Sequence, residues 1–578
     1  MLPVISSAQM REIDRLTTER YGIPSSVLME NAGAGVVRAV TGLLGGDVAG
    51  KGVLVLCGRG NNGGDGAAAA RSLAMAGAAV EVVLLGRVAE TKGDALANFE
   101  IVRRLASEGA KFKDSDNPDI ASLQLFASSA GSLIFFECGS ETEWDNLLYH
   151  QLTQPPDAII DAVFGTGLCR PLQGVHQRVV EYMIRVREMR EVSGPSNSQI
   201  ISIDIPSGLD SDSAELIGEA VCADVTVTMT APKPANVLPP AAAHNGELIV
   251  ADIGSPSELI DGAQSDLFLI DRSDARRWLI QTRYTPESYK NSHGHAVIVA
   301  GSRGFTGAAA LCANAAMQAG AGLVTVATPA SAQPLVAAQV MPEVMTTSLA
   351  ETDRGAVSDE AFDFFSKFSE RADVVAIGPG LSSEDERTRT FVRRAVEKRR
   401  TAIVIDADGL NCLAPWPEEL RGSQDCPIAL TPHPGEMLRL TGSTDKSVLK
   451  DRVAVARDFA TQHQVILLLK GSRSLIAAPD GRVFVNSSGN AGLGTAGSGD
   501  TLTGIIAGFL AQARGTLLAQ ANALDAVIAA LFVGGLAGDF AARDLGMRAM
   551  TASDIRNHLS EVFLSLDPAG ELPGGQSK

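Results

Sequence analysis

N-A-G-L-G-T-A-G-S-G-D-T-L-T-G, residues 490–504, is the stretch that decides the fold of the second half of the chain. Glycines at this density let the backbone turn through positive φ and approach a ligand closely. The apolar run from Leu502 to Leu510 predicts a buried helix, so the glycine loop lies at a helix N-terminus, where free N–H groups and the helix dipole favour a phosphate. A carboxylate beside that anion site, Asp500, is suited to take a proton from a hydroxyl that attacks the bound phosphoryl group. The alternative is a plain turn in which Asp500 only caps the helix.

Composition and charge bound the possible functions. A chain of 578 residues is expected to form roughly two to four domains. The net charge of -18 argues against a nucleic-acid or membrane partner. The seven cysteines form no C-x-x-C pair, and the N-terminus lacks a basic segment followed by an apolar one. We therefore expect a protein of the cytoplasm with reduced cysteines.

The first half of the chain predicts a βαβ unit with a glycine-rich turn. Gly52–Cys57 is a continuous apolar strand, and it enters G-R-G-N-N-G-G-D-G at 58–66 and then an alanine-rich helix. The turn matches the dinucleotide fingerprint formally. The second strand, however, ends L-L-G-R at 84–87 without the acidic residue that holds a ribose. An ordinary NAD-dependent dehydrogenase is therefore disfavoured, and the side-chain oxygens of the turn suit a hard cation or an amide-bearing ligand better.

Three predicted strands of this half end in polar, glycine-bearing loops. The first of these loops follows Cys57, the second surrounds Asp161, and the third includes Asp204. The carboxyl ends of strands in a doubly wound sheet converge on one crevice, so the sequence predicts a site there. Residues 113–156 interrupt the alternation and are interpreted as an insertion.

The second half repeats this pattern of buried strands with polar endings. Predicted strands enter G-P-G-L at 378–381, D-A-D-G-L-N at 406–411 and K-G-S-R-S at 470–474. Another enters T-P-H-P-G-E-M at 431–437. His433 and Lys470 could be ordinary polar residues, but both follow buried strands. These positions favour a ligand contact for His433 and a nucleotide-phosphate contact for Lys470.

Five motifs of the first half resemble the NAD(P)H-hydrate epimerase domain: M-E-N-A-G (29–33), the 58–66 turn, D-A-V-F-G-T-G-L (161–168), I-D-I-P-S-G-L-D (203–210) and T-A-P-K-P (230–234). The resemblance implies a potassium ion held by Asn62, Asp161 and Ser207. It implies Asp204, with Asp65 as second candidate, as the acid–base group that epimerises the hydrated ring carbon. The substrate-binding residues that it implies are Asn61, Asn62, Gly63, Gly64, Asp65, Gly165, Thr166, Gly167, Leu168, Cys169, Arg170, Pro171 and Asp204.

The second half resembles ribokinase-like sugar and vitamin kinases, and among them the NAD(P)H-hydrate dehydratase branch. The motifs that carry this resemblance are G-S-R-G-F-T-G-A-A (301–309), I-G-P-G-L (377–381) and those at 406–411 and 431–437. The resemblance implies that ADP, with ATP as the alternative, phosphorylates the ring hydroxyl and that phosphate then leaves; Mg²⁺ is expected with the nucleotide. Asp500 would be the base and a substrate contact. Ala308, Gly380 and His433 would also touch the hydrate, and the implied nucleotide contacts are Lys470, Gly471, Ser472, Arg473, Ser474 and Gly499.

The sequence therefore predicts an α/β protein of two parts. Residues 1–255 are expected to form a Rossmann-like doubly wound epimerase domain, with the insertion at about 113–156, and residues 270–565 a ribokinase-like dehydratase domain. The expected partners are the small-molecule substrates NADHX and NADPHX, the hydrated forms of NADH and NADPH, and further copies of the chain in a homo-oligomer. Two alternatives remain open: a vitamin or sugar kinase fused to a nucleotide-binding module, and a first half that only senses or scaffolds.

Overall fold

The chain divides into two compact units. The computed structural model describes residues 1–109, 132–150, 152, 155–193, 198–515 and 522–568. The N-terminal unit comprises residues 3–265, and the C-terminal unit comprises residues 266–578 together with the first two residues.

A parallel sheet organises the N-terminal unit, with helices connecting successive strands. The strands are β2 (Gly52–Cys57), β3 (Ala79–Leu84), β4 (Ser132–Glu137), β5 (Ala158–Ala162), β6 (Gln199–Ile203), β7 (Val225–Met229) and β8 (Glu247–Ala251). The short strand β1 (Leu2–Pro3) precedes them in the chain but is not part of this sheet. The helices are α1 (Ser7–Tyr21), α2 (Ser25–Leu43), α3 (Asn61–Met75), α4 (Gly93–Gly109), α5 (Glu141–His150), α6 (Val175–Ser193), α7 (Pro234–Val237) and α8 (Ser257–Asp261). The strand order β4-β3-β2-β5-β6-β7-β8 reverses direction between β2 and β5, and a ligand crevice is expected outside the strand ends at that point.

Part of the predicted insertion belongs to this sheet. Strand β4 pairs with β3 in parallel, from Ser132 opposite Ala79 to Glu137 opposite Leu84, and α5 follows it. The interpretation of 113–156 as an interruption is therefore wrong for 132–150. The half-buried pattern of this edge strand, S-L-I-F-F-E, is weaker than the continuous apolar runs of the central strands. Residues 113–131, 151, 153 and 154 of the predicted insertion lie outside the described residues.

The C-terminal unit is built on a mostly parallel sheet. Its strands are β9 (Leu267–Ile270), β10 (His295–Val299), β11 (Leu323–Pro329), β12 (Met345–Leu349), β13 (Val374–Ile377), β14 (Ala402–Ile405), β15 (Ile428–Leu430), β16 (Ile466–Leu469), β17 (Leu475–Ala477) and β18 (Val483–Asn486). Its helices are α9 (Arg272–Gln281), α10 (Thr306–Gln318), α11 (Gln333–Ala337), α12 (Phe362–Phe368), α13 (Glu386–Glu397), α14 (Asp408–Cys412), α15 (Pro434–Leu440), α16 (Arg452–His463), α17 (Ser498–Arg514), α18 (Ala523–Leu545), α19 (Ala552–Asn557) and α20 (Leu559–Leu566).

The order β12-β11-β10-β13-β14-β15-β16 is parallel throughout, and the antiparallel strand β17 follows at β16. The direction of strand order reverses between β10 and β13, so the same rule places a ligand site there. The predicted α/β class is confirmed in both units, and so is the doubly wound sheet predicted for the N-terminal unit.

Helix α17, predicted from the glycine loop, packs closely on the small-residue helix α10. A β-carbon at Gly504 would lie 2.1 Å from the carbonyl oxygen of Cys312, so only glycine permits this approach. Helix α18 is long and apolar enough to cross a membrane, yet 72% of its most apolar window is buried inside the unit, as in a core helix. Helices α17 and α18 supply many residues of the largest apolar core of the C-terminal unit.

Candidate active sites

A cavity of about 800 Å³ opens in the N-terminal unit where the strand order reverses. The turn that follows β2 and the loop that follows β5 form two of its walls, and α1, α2 and the end of β6 contribute others. All of the predicted loop residues from Gly165 to Pro171 line the cavity: Gly165, Thr166, Gly167, Leu168, Cys169, Arg170 and Pro171. The loops predicted to converge on one crevice therefore do so.

The glycines of the 58–66 turn serve the backbone rather than the cavity wall. Asn61, Asn62 and Asp65 line the cavity, whereas Gly63 and Gly64 are buried behind it. A β-carbon at Gly63 would lie 1.8 Å from the carbonyl oxygen of Gly58, so this turn can close only with glycine there. The side chains of Asn61, Asn62 and Asp65 are therefore the parts of this turn that a substrate in the cavity would meet.

Asp204 occupies a special backbone position at the end of β6. Its φ is +65°, a left-handed conformation that is uncommon for a residue other than glycine. Oδ1 of Asp204 accepts a hydrogen bond from the ammonium of Lys233 at 2.5 Å and one from the hydroxyl of Thr228 at 3.1 Å. Lys233 is completely buried, and it also donates to the carbonyl oxygen of Met229. The second carboxylate oxygen of Asp204 points toward the cavity loop, 3.2 Å from the place that a β-carbon of Gly165 would take.

Two more carboxylates share this environment. Burial raises the pKa of Asp65 well above its ordinary value, and the negative charges of Asp204 and Asp14 add to the effect. Burial likewise raises the pKa of Asp14 to about 6; Lys233 opposes the rise and Asp204 adds to it. Both groups line the cavity. The site thus contains two carboxyl groups whose pKa values are raised above the ordinary aspartate value, as is common for groups that act in acid–base chemistry.

Of the three predicted cation ligands, Asn62 lines the cavity, whereas Asp161 and Ser207 are not among its lining residues. Asp161 and Ser207 are fully buried; the Ser207 hydroxyl donates to Oδ1 of Asp161 at 2.5 Å, and the Ser207 amide donates to Oδ2 at 2.8 Å. The side-chain amide of Asn62 is buried, and neither its oxygen nor its nitrogen has a partner among the described residues. A carboxylate, a hydroxyl and an unsatisfied amide oxygen form the donor set that a hard cation prefers, so these residues fit such an ion.

In the C-terminal unit, Asp500 lies in the first turn of α17, where helix geometry leaves backbone N–H groups without intrahelical acceptors. Gly497 caps the helix at φ +81°, and a β-carbon there would lie 2.5 Å from the Leu311 side chain. Burial raises the pKa of Asp500 to about 6, Asp406 adds to the rise, and Lys470 opposes it. The glycine-capped helix start and the carboxylate predicted from the sequence therefore occur together, and phosphate binding there stays a prediction.

Lys470 is held over the start of this helix by buried carboxylates. Its ammonium donates to Oδ1 of Asp406 at 2.8 Å and lies 3.9 Å from Glu436. Burial lowers the pKa of Lys470, but these two carboxylates outweigh burial and raise it overall. A β-carbon at Gly499 would lie 3.4 Å from the same ammonium. The predicted phosphate contacts Lys470 and Gly499 are thus brought together beside Asp500.

The rest of the 470–474 loop is shaped by Arg452. Its guanidinium donates to the carbonyl oxygen of Ser472 at 2.8 Å, and it fills the space that a β-carbon of Gly471 would need. Arg473 has a φ of +50° and donates to the carbonyl oxygen of Ser487. The Ser474 hydroxyl donates to the carbonyl oxygen of Gly471 and closes the turn. Among the predicted phosphate contacts of this loop, the side chains of Arg473 and Ser474 are therefore engaged with the backbone.

The predicted substrate contacts lie on neighbouring strand ends. A β-carbon at Gly380 would lie 3.0 Å from the β-carbon of Ala308, so these two residues adjoin. His433 caps α15 through Nδ1, and its Nε2 lies 3.4 Å from Glu436, which in turn approaches Lys470. These residues therefore surround the carboxyl ends of the parallel strands that also carry Asp406.

Sequence reasoning missed four polar residues of the two sites: Lys233, Asp14, Asp406 and Thr503. The hydroxyl of Thr503 donates to Oδ2 of Asp406 at 2.8 Å, so both oxygens of this buried carboxylate have partners. Lys233 and Asp406 stood inside motifs that had been recognised, T-A-P-K-P and D-A-D-G-L-N. A charged residue beside an apolar strand was the signal that could have identified them.

Comparisons with known proteins identify relatives of both halves of the chain. A family model described as "YjeF-related protein N-terminus" matches residues 25–235, and one described as "NAD(P)H-hydrate dehydratase" matches residues 296–561. The chain is 39% identical to the bifunctional NAD(P)H-hydrate repair enzyme Nnr of Moorella thermoacetica, over 98% of this chain and 97% of that protein. It is 30% identical to the Escherichia coli protein of the same name, over 88% of this chain and 84% of that protein.

A solved structure also matches. It is the ADP/ATP-dependent NAD(P)H-hydrate dehydratase from Bacillus subtilis co-crystallised with ATP/Mg²⁺, with 27% identity and a TM-score of 0.44. The match covers 52% of this chain and 98% of that one.

Proposed function

Because the chain belongs to the family of bifunctional NAD(P)H-hydrate repair enzymes, we propose that it restores hydrated NADH and NADPH in two reactions. The N-terminal unit interconverts the R and S epimers of NADHX and NADPHX. The C-terminal unit dehydrates the S epimer with ADP and releases NAD(P)H, AMP and phosphate. The observation that carries the second reaction is the placement of Asp500 and Lys470 at the amide-lined start of α17.

In the dehydration, Asp500 takes the proton of the ring hydroxyl as the hydroxyl oxygen attacks the terminal phosphoryl group of ADP, and AMP leaves as its bond to that phosphorus breaks. The first-turn amides of α17 and the ammonium of Lys470 bind the phosphate oxygens and stabilise the charge that develops there. The carbon–oxygen bond then breaks and its electrons leave with phosphate. The ring nitrogen supplies the electron pair that replaces them, and loss of a proton from the neighbouring ring carbon restores the dihydronicotinamide ring of NAD(P)H. Phosphate is a far better leaving group than hydroxide, which explains the use of a kinase site.

The pKa of Asp500 suits this role. A carboxyl group with a pKa of about 6 is mostly ionised at pH 7 to 8, yet it is a stronger base than an ordinary aspartate. Asp406 is one of the charges that raise this value, and it also anchors Lys470 and Thr503. We infer that Asp406 positions the other groups and sets the basicity of Asp500.

In the epimerisation, Asp204 is proposed to move the proton of the hydroxyl on the hydrated ring carbon. Lys233 and Thr228 fix one oxygen of its carboxylate and leave the other toward the cavity. The cavity of about 800 Å³ is large enough to hold much of a dinucleotide. Asp65 contributes a buried carboxyl group nearby.

The expected ions follow from the donor groups. Asn62, Asp161 and Ser207 would hold a potassium ion, which would offset negative charge next to the substrate. Mg²⁺ is expected with the nucleotide, because it prefers phosphate oxygens. We also propose a cytoplasmic location, where the NAD(P)H pool is found, and a homo-oligomeric state, which sedimentation would test.

The experiment gives the purified protein mixed hydrate epimers with ADP or with ATP and follows NADH absorbance. Consumption of both epimers with formation of AMP and phosphate supports both proposed reactions. Consumption of one epimer only would remove the epimerase reaction. A stable phosphate ester without NADH would instead identify a sugar or vitamin kinase.

A further inference from the structure

A carboxyl group on the first helix reaches the N-terminal cavity without a visible structural task. Met10 and Ile13 of α1 are buried in a small apolar cluster, which fixes the helix against the unit. Asp14, one residue on, lines the cavity. Its Oδ1 atom is buried and has no hydrogen-bond partner among the described residues. Leaving a buried carboxylate oxygen unpaired is costly, so a functional reason is expected.

Asp14 also belongs to a group of carboxylates that outnumber the buried ammonium group beside them. Asp14, Asp65 and Asp204 interact electrostatically, and Lys233 is the cation that acts on all three. The other titratable groups that line the cavity are Arg11, Arg59, Asp94, Cys169, Arg170 and His176. Three carboxyl groups thus lie around one buried ammonium, and the repulsion between like charges disfavours ionising all three at once.

Inversion of the hydrated ring carbon requires two proton transfers on opposite faces of the ring. An acid protonates the hydroxyl, the carbon–oxygen bond breaks, water leaves, and the ring nitrogen supplies its electron pair to form a planar iminium. A second water then adds to the other face and gives a proton to a base there. One water has left, one has been added, and one proton has passed from acid to base. A single carboxyl group fixed on one face can return water only to that face.

We infer that Asp14 is the second acid–base residue of the epimerisation and that it works on the face opposite Asp204. This inference rests on the proposed function of the N-terminal unit. After one turnover the two groups have exchanged protonation states, and this is the form that catalyses the reverse conversion. Proton exchange with water resets the pair. Burial, which raises the pKa of Asp14 to about 6, makes this exchange accessible near neutral pH. Burial also raises the pKa of Asp65 well above its ordinary value.

The test measures epimer interconversion and oxygen exchange in the same tube, with the full chain, without nucleotide, in ¹⁸O-water. The hydrate epimers are separated by chromatography, and the ¹⁸O content of each is measured by mass spectrometry. The rates of interconversion and exchange without enzyme are subtracted. In Asp14→Asn we expect interconversion to fall about 10²-fold or more. Exchange of ¹⁸O into one of the two epimers should persist, because Asp204 can still expel and return water on its own face.

Controls separate this role from a structural one. Glu19→Gln changes an exposed carboxylate of the same helix and should leave both rates unchanged. Asp14→Glu keeps a carboxyl group and should retain more interconversion than Asp14→Asn. The inference would be overturned if Asp14→Asn lowered interconversion and ¹⁸O exchange into both epimers equally. It would also be overturned if Asp14→Asn and Asp14→Glu lost the same amount of interconversion, or if Asp14→Asn interconverted the epimers at the wild-type rate. If the unaltered protein does not interconvert the epimers, the proposed epimerase function itself fails.

Discussion

Asp500→Asn is predicted to stop dehydration and, at the same time, to stabilise the C-terminal unit. Burial and the charge of Asp406 raise the pKa of Asp500 from 3.8 to about 6. The folded state therefore binds the proton of Asp500 more tightly than the unfolded state does. Stability falls as the pH rises from about 4 to about 6, and the penalty is complete above pH 6. A difference of roughly two pKa units corresponds to about 3 kcal/mol at 1.36 kcal/mol per unit, and this is the upper limit of the gain in Asp500→Asn above pH 7.

The catalytic loss follows from the same environment. Removal of the base should lower ADP-dependent formation of NADH from the S hydrate by about 10²- to 10⁴-fold. In the unaltered enzyme, this activity should rise with pH through about 6, as Asp500 ionises. Thermal unfolding at pH 5 and pH 8 measures the stability gain, which should be larger at pH 8.

The matched control is Asp458→Asn, an exposed position on α16 of the same unit, which should change neither quantity. Wild-type turnover in Asp500→Asn would refute the base assignment. A loss of stability at pH 8 would refute the electrostatic reasoning, even if activity were lost.

Three further predictions concern other contacts. Asp204→Asn should lower epimerisation by about 10²-fold or more and leave ADP-dependent dehydration of the S epimer intact. It should also destabilise the N-terminal unit by about 3–5 kcal/mol, because Lys233 stays buried without its carboxylate partner. The double variant Asp204→Asn with Lys233→Met should recover stability but not activity. Lys470→Met should raise the KM for ADP and move the acid limb of the dehydratase pH profile upward, because Lys470 holds down the pKa of Asp500; an unchanged limb would exclude that interaction. Gly504→Ala should destabilise the C-terminal unit by about 1–3 kcal/mol, since the added methyl group meets the Cys312 carbonyl oxygen, whereas Gly307→Ala, whose methyl group meets nothing within 4 Å, should leave the melting temperature unchanged.

The central strands and the glycine loops were predictable because their signals are local. Gly52–Cys57 was predicted with the bounds that the structure has, since a parallel strand buried on both faces is a continuous apolar run. The helix after the 490–504 loop was predicted from the same kind of run. The edge strand β4 was missed because one half-buried, mixed segment resembles an insertion.

The polar partners of the site residues were not predictable in the same way. Lys233 meets Asp204 across 29 positions of sequence, and Lys470 meets Asp406 across 64. Asp14 lies on a helix far from the recognised motifs in the sequence, and only the packing of α1 brings it to the cavity. Motifs identified which loops form each site, whereas the pairing of charges within the site depends on tertiary structure.

The most direct test of the account follows the oxygen of the hydrate. The S hydrate is prepared with ¹⁸O in its ring hydroxyl, and the enzyme converts it with unlabelled ADP under conditions in which the label does not exchange with water. If Asp500 activates that hydroxyl to attack ADP, the ¹⁸O must appear in the released inorganic phosphate. Recovery of the ¹⁸O in water, with unlabelled phosphate, would contradict phosphorylation of the hydroxyl and with it the role of the site at the start of α17.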